Sequence, residues 1–332
     1  MALKTSSFDK FRLPSAVRHS AAACLFAAMS AGGRASAGVV NLDQSFDAGG
    51  VRYGTVGNST ATIFNAAGIA GTGAGYGIGE ASIIGGKGDA FDGGAGIRVN
   101  GTYFNQPGNQ VDMTTTANGV FLNTITPMDI GGISTTYNYY MTENRTVRAV
   151  GSFTNTTVAS ANAKVIFGGN LGSDSATTIF ATSSGDLVYS PTIDTFYVSG
   201  QTNGSDAFQT NYLFAAGSNA PTFGRVGGTW GGNGGFNSIG YDLTIAAGET
   251  KSLMWFVQFS ETATAATADV GNFTDLATLD AAGLLAGLSQ SDVDRIDNWQ
   301  PRTIPEPSAL SLLVLGFSSL MLGRYRWSRV KA

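Results

Sequence analysis

One histidine and one cysteine occur in 332 residues, His19 and Cys24, and both precede Gly38. Everything after that point works without imidazole or thiol. That excludes Ser-His-Asp and Cys-His nucleophilic catalysis, His or Cys zinc sites, haem ligation and disulfides. Charge is also scarce, at 13% of the chain, and positive charge most of all: residues 38–304 hold 10 Lys and Arg against 21 Asp and Glu, a formal −11, where the whole chain carries −4. Phosphate recognition needs patches of Lys and Arg, so a nucleic-acid role is excluded. Long apolar runs are missing as well, except for one between Ala309 and Leu322.

What is plentiful is glycine, 46 residues, with abundant Thr, Ser and Asn. That composition suits short strands joined by turns rather than helices. Candidate strands are Val51–Val56, Thr60–Asn65 and Tyr76–Ile84 in the Gly-rich first third. Gly96–Phe104, Gln110–Thr116, Gly119–Ile125, Ile133–Met141, Thr146–Asn155 and Ala163–Gly169 follow, then Thr177–Thr182, Thr195–Ser199, Asn211–Ala215 and Ile239–Ala246. Alternation places Tyr137, Tyr139 and Met141 on one face, Val147, Ala149 and Phe153 on another, and Tyr241, Leu243 and Ile245 opposite Asp242 and Thr244. Leu253-Met254-Trp255-Phe256-Val257 is continuously apolar, a central strand covered on both faces. Strands at this spacing without helical crossovers predict a mainly β fold, a large antiparallel β-sandwich of about a dozen strands.

After Ser260 the period changes. Ala263–Val270, Phe273–Leu285 and Ser289–Trp299 read as short helices. Ser289 is the N-cap of the last, Asp292 sits in its first turn, and Val293, Ile296 and Trp299 pack on the sandwich. The organisation is then a leader at 1–37, a β-sandwich at 38–262, a helical segment at 263–302 and a terminal segment at 303–332.

The leader has basic residues (Lys4, Lys10, Arg12, Arg18), an apolar stretch from Ser20 to Ala31, and Ala35-Ser36-Ala37 before Gly38. That is the order of a secretory signal peptide, with cleavage expected after Ala37. At the other end Pro305-Glu306-Pro307 precedes the charge-free run 309–322, which as a C-terminal hydrophobic helix spans roughly 21 Å, short for a membrane helix. Arg324, Arg326, Arg329 and Lys331 follow, and mark that end as cytoplasmic. Together these resemble the PEP-CTERM sorting signal of Gram-negative bacteria, the counterpart of the Gram-positive sortase signal. The resemblance covers about the last thirty residues. It implies recognition, and cleavage near Pro305-Glu306-Pro307, by an exosortase-type membrane transpeptidase, in cells that make exopolysaccharide. The stretch from Asn170 to Thr178, with Ala181 to Asp186 after it, loosely resembles large secreted bacterial β-sandwich proteins of unassigned activity.

Three constellations remain. Gly85 to Gly94, with Asp89 and Asp92, resembles the Gly/Asp calcium-binding nonapeptide repeat, although Asp89 is one position early and no tandem repeat follows; the same residues suit a solvated turn capped by Asp. Trp230, in a Gly/Asn-rich loop, suits contact with a glycan or a plug for one end of the sandwich. Glu80, Glu143, Glu249 and Glu261 are the glutamates available to a carboxylate-pair hydrolase. The expectation is an exported, non-enzymatic surface or matrix protein associated with exopolysaccharide, needing no cofactor unless calcium binds. The alternatives are a carbohydrate-binding module and a carboxylate-pair hydrolase.

Overall fold

The computed structural model describes residues 36–56, 75–91, 95–173, 176–227 and 235–301. Eighteen strands run along them. The first nine are β1 (Ser36–Asn41), β2 (Ser45–Ala48), β3 (Val51–Val56), β4 (Gly77–Ile83), β5 (Ala95–Val99), β6 (Thr102–Tyr103), β7 (Gln110–Thr116), β8 (Gly119–Asn123) and β9 (Met128–Ile130). The remainder are β10 (Ile133–Thr142), β11 (Thr146–Asn155), β12 (Ala161–Leu171), β13 (Thr178–Thr182), β14 (Phe196–Gly200), β15 (Phe208–Tyr212), β16 (Phe223–Val226), β17 (Gly235–Ile245) and β18 (Thr250–Ser260).

They form two sheets, ordered β1-β7-β8-β10-β11-β18-β15-β14-β13 with β9 beside β10, and β16-β17-β12-β5-β4-β3-β2 with β6 beside β5. Every pairing between these strands is antiparallel. The expected sandwich is therefore present, with more strands than the dozen expected. The extra ones are short or shifted. Gly96–Phe104, expected as one strand, is a hairpin: Asn100 and Gly101 both have positive φ, 49° and 86°, and Val99 pairs with Thr102. A two-residue Asn-Gly loop with both φ positive matches the right-handed twist of the flanking strands. The candidate Asn211–Ala215 begins earlier, at Phe208, because a buried run hides the period that would fix its ends. Thr60–Asn65 lies outside the described residues.

The sequence alternation sets the layers. Tyr137, Tyr139 and Met141 of β10, Val147, Ala149 and Phe153 of β11, and Leu253, Trp255, Val257 and Phe259 of β18 face Tyr53, Ile78, Val165, Phe167, Tyr241, Leu243 and Ile245 of the other sheet in one buried core. The alternate residues of the central strands, Val150, Met254 and Phe256, face the opposite way. There they meet Phe273, Leu279, Leu284, Leu285, Ile296 and Trp299 of the C-terminal segment. β18 is covered on both faces, as its unbroken apolar run predicts.

That third layer holds α1 (Ala263–Ala266), α2 (Leu276–Ala281) and α3 (Gln290–Val293), with a 3₁₀ turn at Val270–Phe273. All are shorter than expected. Gly283 and Gly287, at φ 71° and 79°, take left-handed backbone that ends a helix cheaply only at glycine. Ser289 caps α3 as expected: its side chain accepts from the Asp292 N–H while Asp292 reaches back to the Ser289 N–H. Among the described residues no helix is long and apolar enough to cross a membrane; the run 309–322 lies outside them.

The last described residues extend the first sheet. Past the end of β15, Ser252 of β18 donates to the Arg295 carbonyl at 2.8 Å and accepts from the Asp297 N–H at 2.8 Å. Asn298 then donates through Nδ2 to the carbonyls of Leu213 (2.6 Å) and Met254 (2.7 Å), and accepts from the Met254 N–H at 3.0 Å. A side-chain amide thus stands in for a missing strand neighbour, and the peptide groups of β18 stay paired.

Candidate functional site

Few of the residues singled out in the sequence can be assembled into a site. Ala35, Asp92, Trp230, Pro305, Glu306, Pro307, Arg324, Arg326, Arg329 and Lys331 all lie outside the described residues. Ala37 and Gly38 belong to β1, where they pair with Thr114 and Met113. Asp89 sits in a tightly bonded turn at φ 50°, its N–H donating to Ser82 Oγ at 3.2 Å. On either side of it Gly88 bonds the backbone of Ser205 and Ala207, and Gly172 donates to the Ala90 carbonyl. Among the described residues no three His, Cys, Asp or Glu side chains come together as a metal site.

The glutamates divide by role. Glu249 closes the β17–β18 turn, accepting from the Ala246 N–H at 2.7 Å. Glu261 accepts from the Lys87 N–H at 3.0 Å and lies 3.6 Å from Arg145, a half-exposed ion pair. Glu80 projects from β4 in the other sheet. Glu143 lines a cavity of about 480 Å³ between the β10–β11 turn and the 3₁₀ turn, together with Arg145, Gln258, Asp269, Asn272 and Phe273. The second carboxylate there, Asp269, accepts from Gln258 Nε2 at 2.8 Å, while Gln258 Oε1 accepts from the Tyr212 hydroxyl at 3.2 Å. Tyr212 stacks on Phe273 with centroids 3.6 Å apart. Burial first, and the Asp269 charge second, push the Tyr212 hydroxyl pKa upward. This chain of bonds joins the 3₁₀ turn to β18 through Asp269.

A second cavity, of about 320 Å³, opens on the outer face of the first sheet. Phe121, Asn123, Asn138, Arg148, Ser152 and Asp292 are among the residues that line it. Arg148 is the unusual member. Strand alternation turns it away from the core between Val147 and Ala149, and the loop after α2 then covers it to 4% exposure. Its Nη1 donates to the carbonyls of Leu284 (2.7 Å) and Ala286 (2.9 Å), and its guanidinium lies 5.1 Å from the Tyr140 ring centroid. Burial lowers its pKa to about 10, so it remains charged at neutral pH. Among the described residues no carboxylate pairs with it, and its Nε is buried without a hydrogen-bond partner. Sequence reasoning misses Arg148. The available signal is a lone charge, third in a ten-residue strand of Val, Ala, Gly, Phe, Ser, Thr and Asn.

No protein-family model matches the chain, and no curated protein does. Solved structures give partial overlaps. A galactose mutarotase-like protein from Lactobacillus casei overlaps 67% of this chain and 100% of its own at 9% identity, with a TM-score of 0.40. The heparan sulfate lyase HepC from Pedobacter heparinus overlaps 67% of this chain and 37% of its own at 11% identity, TM-score 0.41. Heparinase III gives 68% and 38% at 9% identity, TM-score 0.38, so the chain spans less than two fifths of either of these two proteins. At these scores the overlaps assign neither a family nor an activity.

Proposed function

We propose that the chain is an exported surface or matrix protein with a structural or adhesive role beside exopolysaccharide, sorted at Pro305-Glu306-Pro307 by an exosortase-type membrane transpeptidase. The observation that carries the reading is the arrangement of the two ends around one packed domain. The leader motif Ala35-Ser36-Ala37 meets the domain at β1, and the sorting motif follows Trp299 by a few residues. Trp299 is fully buried, and its Nε1 donates to the Met254 carbonyl at 2.6 Å. A domain held this close to its sorting motif would stand at the membrane surface until released. The absence of His and Cys from residues 38–304 supports a non-enzymatic role, and the net charge of −11 there argues against nucleic acid or anionic lipid as partner.

Intact mass and location of the native protein, beside a variant with Pro305 and Pro307 both changed to Ala, test the reading. Expected for the wild type is a chain that begins at Gly38, lacks the residues after the Pro-Glu-Pro motif and lies at the surface or in the medium. The variant is expected to keep its basic tail and stay in the membrane fraction. A wild type that retains Lys331 and behaves like the variant overturns the sorting step.

A further inference from the structure

We propose that a groove between α2 and α3 seats the chain's own residues Arg302–Pro305, and so holds the sorting motif against the domain. The groove, of about 490 Å³, has an apolar floor of Leu276, Leu285, Leu288 and Val293. Leu285 is buried, whereas Leu276, Leu288 and Val293 are half-buried: one flank of each packs on the cluster around Trp299 and the other faces the groove. Apolar surface left open in this way favours an apolar occupant. Asp280 and Asp294 stand on the rim, and among the described residues no lysine or arginine lines the groove.

Two observations choose the occupant. The first is where the chain goes. Buried Trp299 and the bond from Gln300 Nε2 to the Val293 carbonyl, at 2.8 Å, bring the last described residues onto α3, and Gln300 and Pro301 themselves line the groove. At about 3.3 Å per extended residue, the three steps from Pro301 to Ile304 reach up to about 10 Å. Ile304 is the first apolar side chain after Pro301, and Pro305 behind it biases it to extended backbone. An attached segment also comes at high effective concentration, with little translational freedom left to lose. The second observation is charge. Arg302 directly follows Pro301 and is the one basic residue before Arg324, so it arrives beside the two aspartates. Glu306 lies beyond the seat and is repelled by the same rim. The apolar run 309–322, roughly 21 Å long as a helix, is too large for the groove. With Arg302–Pro305 seated, a transpeptidase would have to lift the segment before taking Pro305-Glu306-Pro307. That last step rests on the sorting reading; the seat does not.

Trypsin tests the seat, because the Arg302–Thr303 bond is open to cleavage only when the segment is lifted out. The rate is read on the purified full chain, by mass spectrometry of the fragment ending at Arg302. Ile304→Ser removes the apolar contact from a residue outside the packed domain, so the melting temperature should not change. Cleavage at Arg302 should quicken by about tenfold or more, the scale on which burying one large aliphatic side chain shifts an equilibrium. Ala277→Phe fills the groove from an exposed position on α2 and should quicken cleavage by a similar factor. Combined, the two should be no faster than either alone, since both act on the same seat. Asp280→Lys, near the C-terminal end of α2 where a cation suits the helix, should quicken it by a smaller factor. The proposal is overturned if Ile304→Ser is cut at the wild-type rate, or if the effects of Ile304→Ser and Ala277→Phe multiply. It is overturned too if protection of the wild type fades on dilution, which would put a second copy in the groove. Each outcome is read without a transpeptidase, so a wild type that retains Lys331 in the processing test would overturn sorting and leave the seat standing.

Discussion

Phe167 of β12 stacks on Trp255 of β18 across the two sheets, with ring centroids 3.9 Å apart and planes 5° from parallel. The stack continues in both directions, from Phe167 to Tyr241 at 5.5 Å and from Trp255 to Tyr137 at 5.1 Å. Four rings therefore join the central strands through the middle of the core. With no disulfide available after Gly38, contacts of this kind hold the sheets together. Phe167→Ala should lower unfolding free energy by about 3–5 kcal/mol, the cost of removing a large buried ring and leaving its cavity. Phe167→Leu, which keeps much of the apolar volume, should cost clearly less. Denaturant titration measures both, and a Phe167→Ala loss below about 1 kcal/mol would show that the sheets are joined elsewhere.

The core aromatics are legible in the sequence because strand alternation has a period of two. Tyr137, Tyr139 and Tyr241 each fall where that period places them, and Trp255 lies in the unbroken apolar run that reads as a strand covered on both faces. Legibility fails where the signal is a turn or an ending. Asn100-Gly101 lies inside a stretch that reads as one strand, and Gly283 interrupts the stretch Phe273–Leu285 that reads as one helix. Arg148 escapes for a different reason. Alternation turns it outward correctly, but its burial depends on a loop more than a hundred residues later in the chain, and no local pattern encodes that closure. Asp89 and Glu249 read as turn residues as well as ligands or acids, and the bonds made in those turns agree with the turn readings.

The tyrosines predict an alkaline limit to stability. Tyr76, Tyr137, Tyr139 and Tyr241 are fully buried, and desolvation raises the hydroxyl pKa of each above its ordinary value of 10. In the unfolded chain these groups ionise near 10, so above that pH the unfolded state has lost protons that the folded state still holds. Stability is therefore unaffected below about pH 10 and falls above it, by about 1.4 kcal/mol per pH unit for each such tyrosine. Absorbance titration of phenolate should show these tyrosines ionising in one cooperative step that coincides with loss of near-ultraviolet circular dichroism. A gradual titration centred near pH 10, with the fold intact, would contradict their burial.

Asn298 predicts how the outer layer comes away. It is fully buried, and its amide serves Met254 N–H, Met254 C=O and Leu213 C=O at the point where β15 no longer covers β18. Replacing it by Ala orphans peptide groups that water cannot reach, at about 1–3 kcal/mol for each. Asn298→Asp should be worse than its shape suggests, because a carboxylate keeps the acceptor but loses both donated bonds and faces the carbonyls of Leu213 and Met254. The damage should be local. The core between the sheets does not include Asn298, whereas Ile296 and Trp299 on either side of it pack against Val150, Met254 and Phe256. Limited proteolysis should therefore cut Asn298→Ala first within residues 263–301, while residues 36–260 persist as a protected fragment. Cleavage appearing equally throughout the chain would mean that the C-terminal segment and the sandwich unfold as one unit, and that Asn298 is a support of the whole domain rather than of its outer layer.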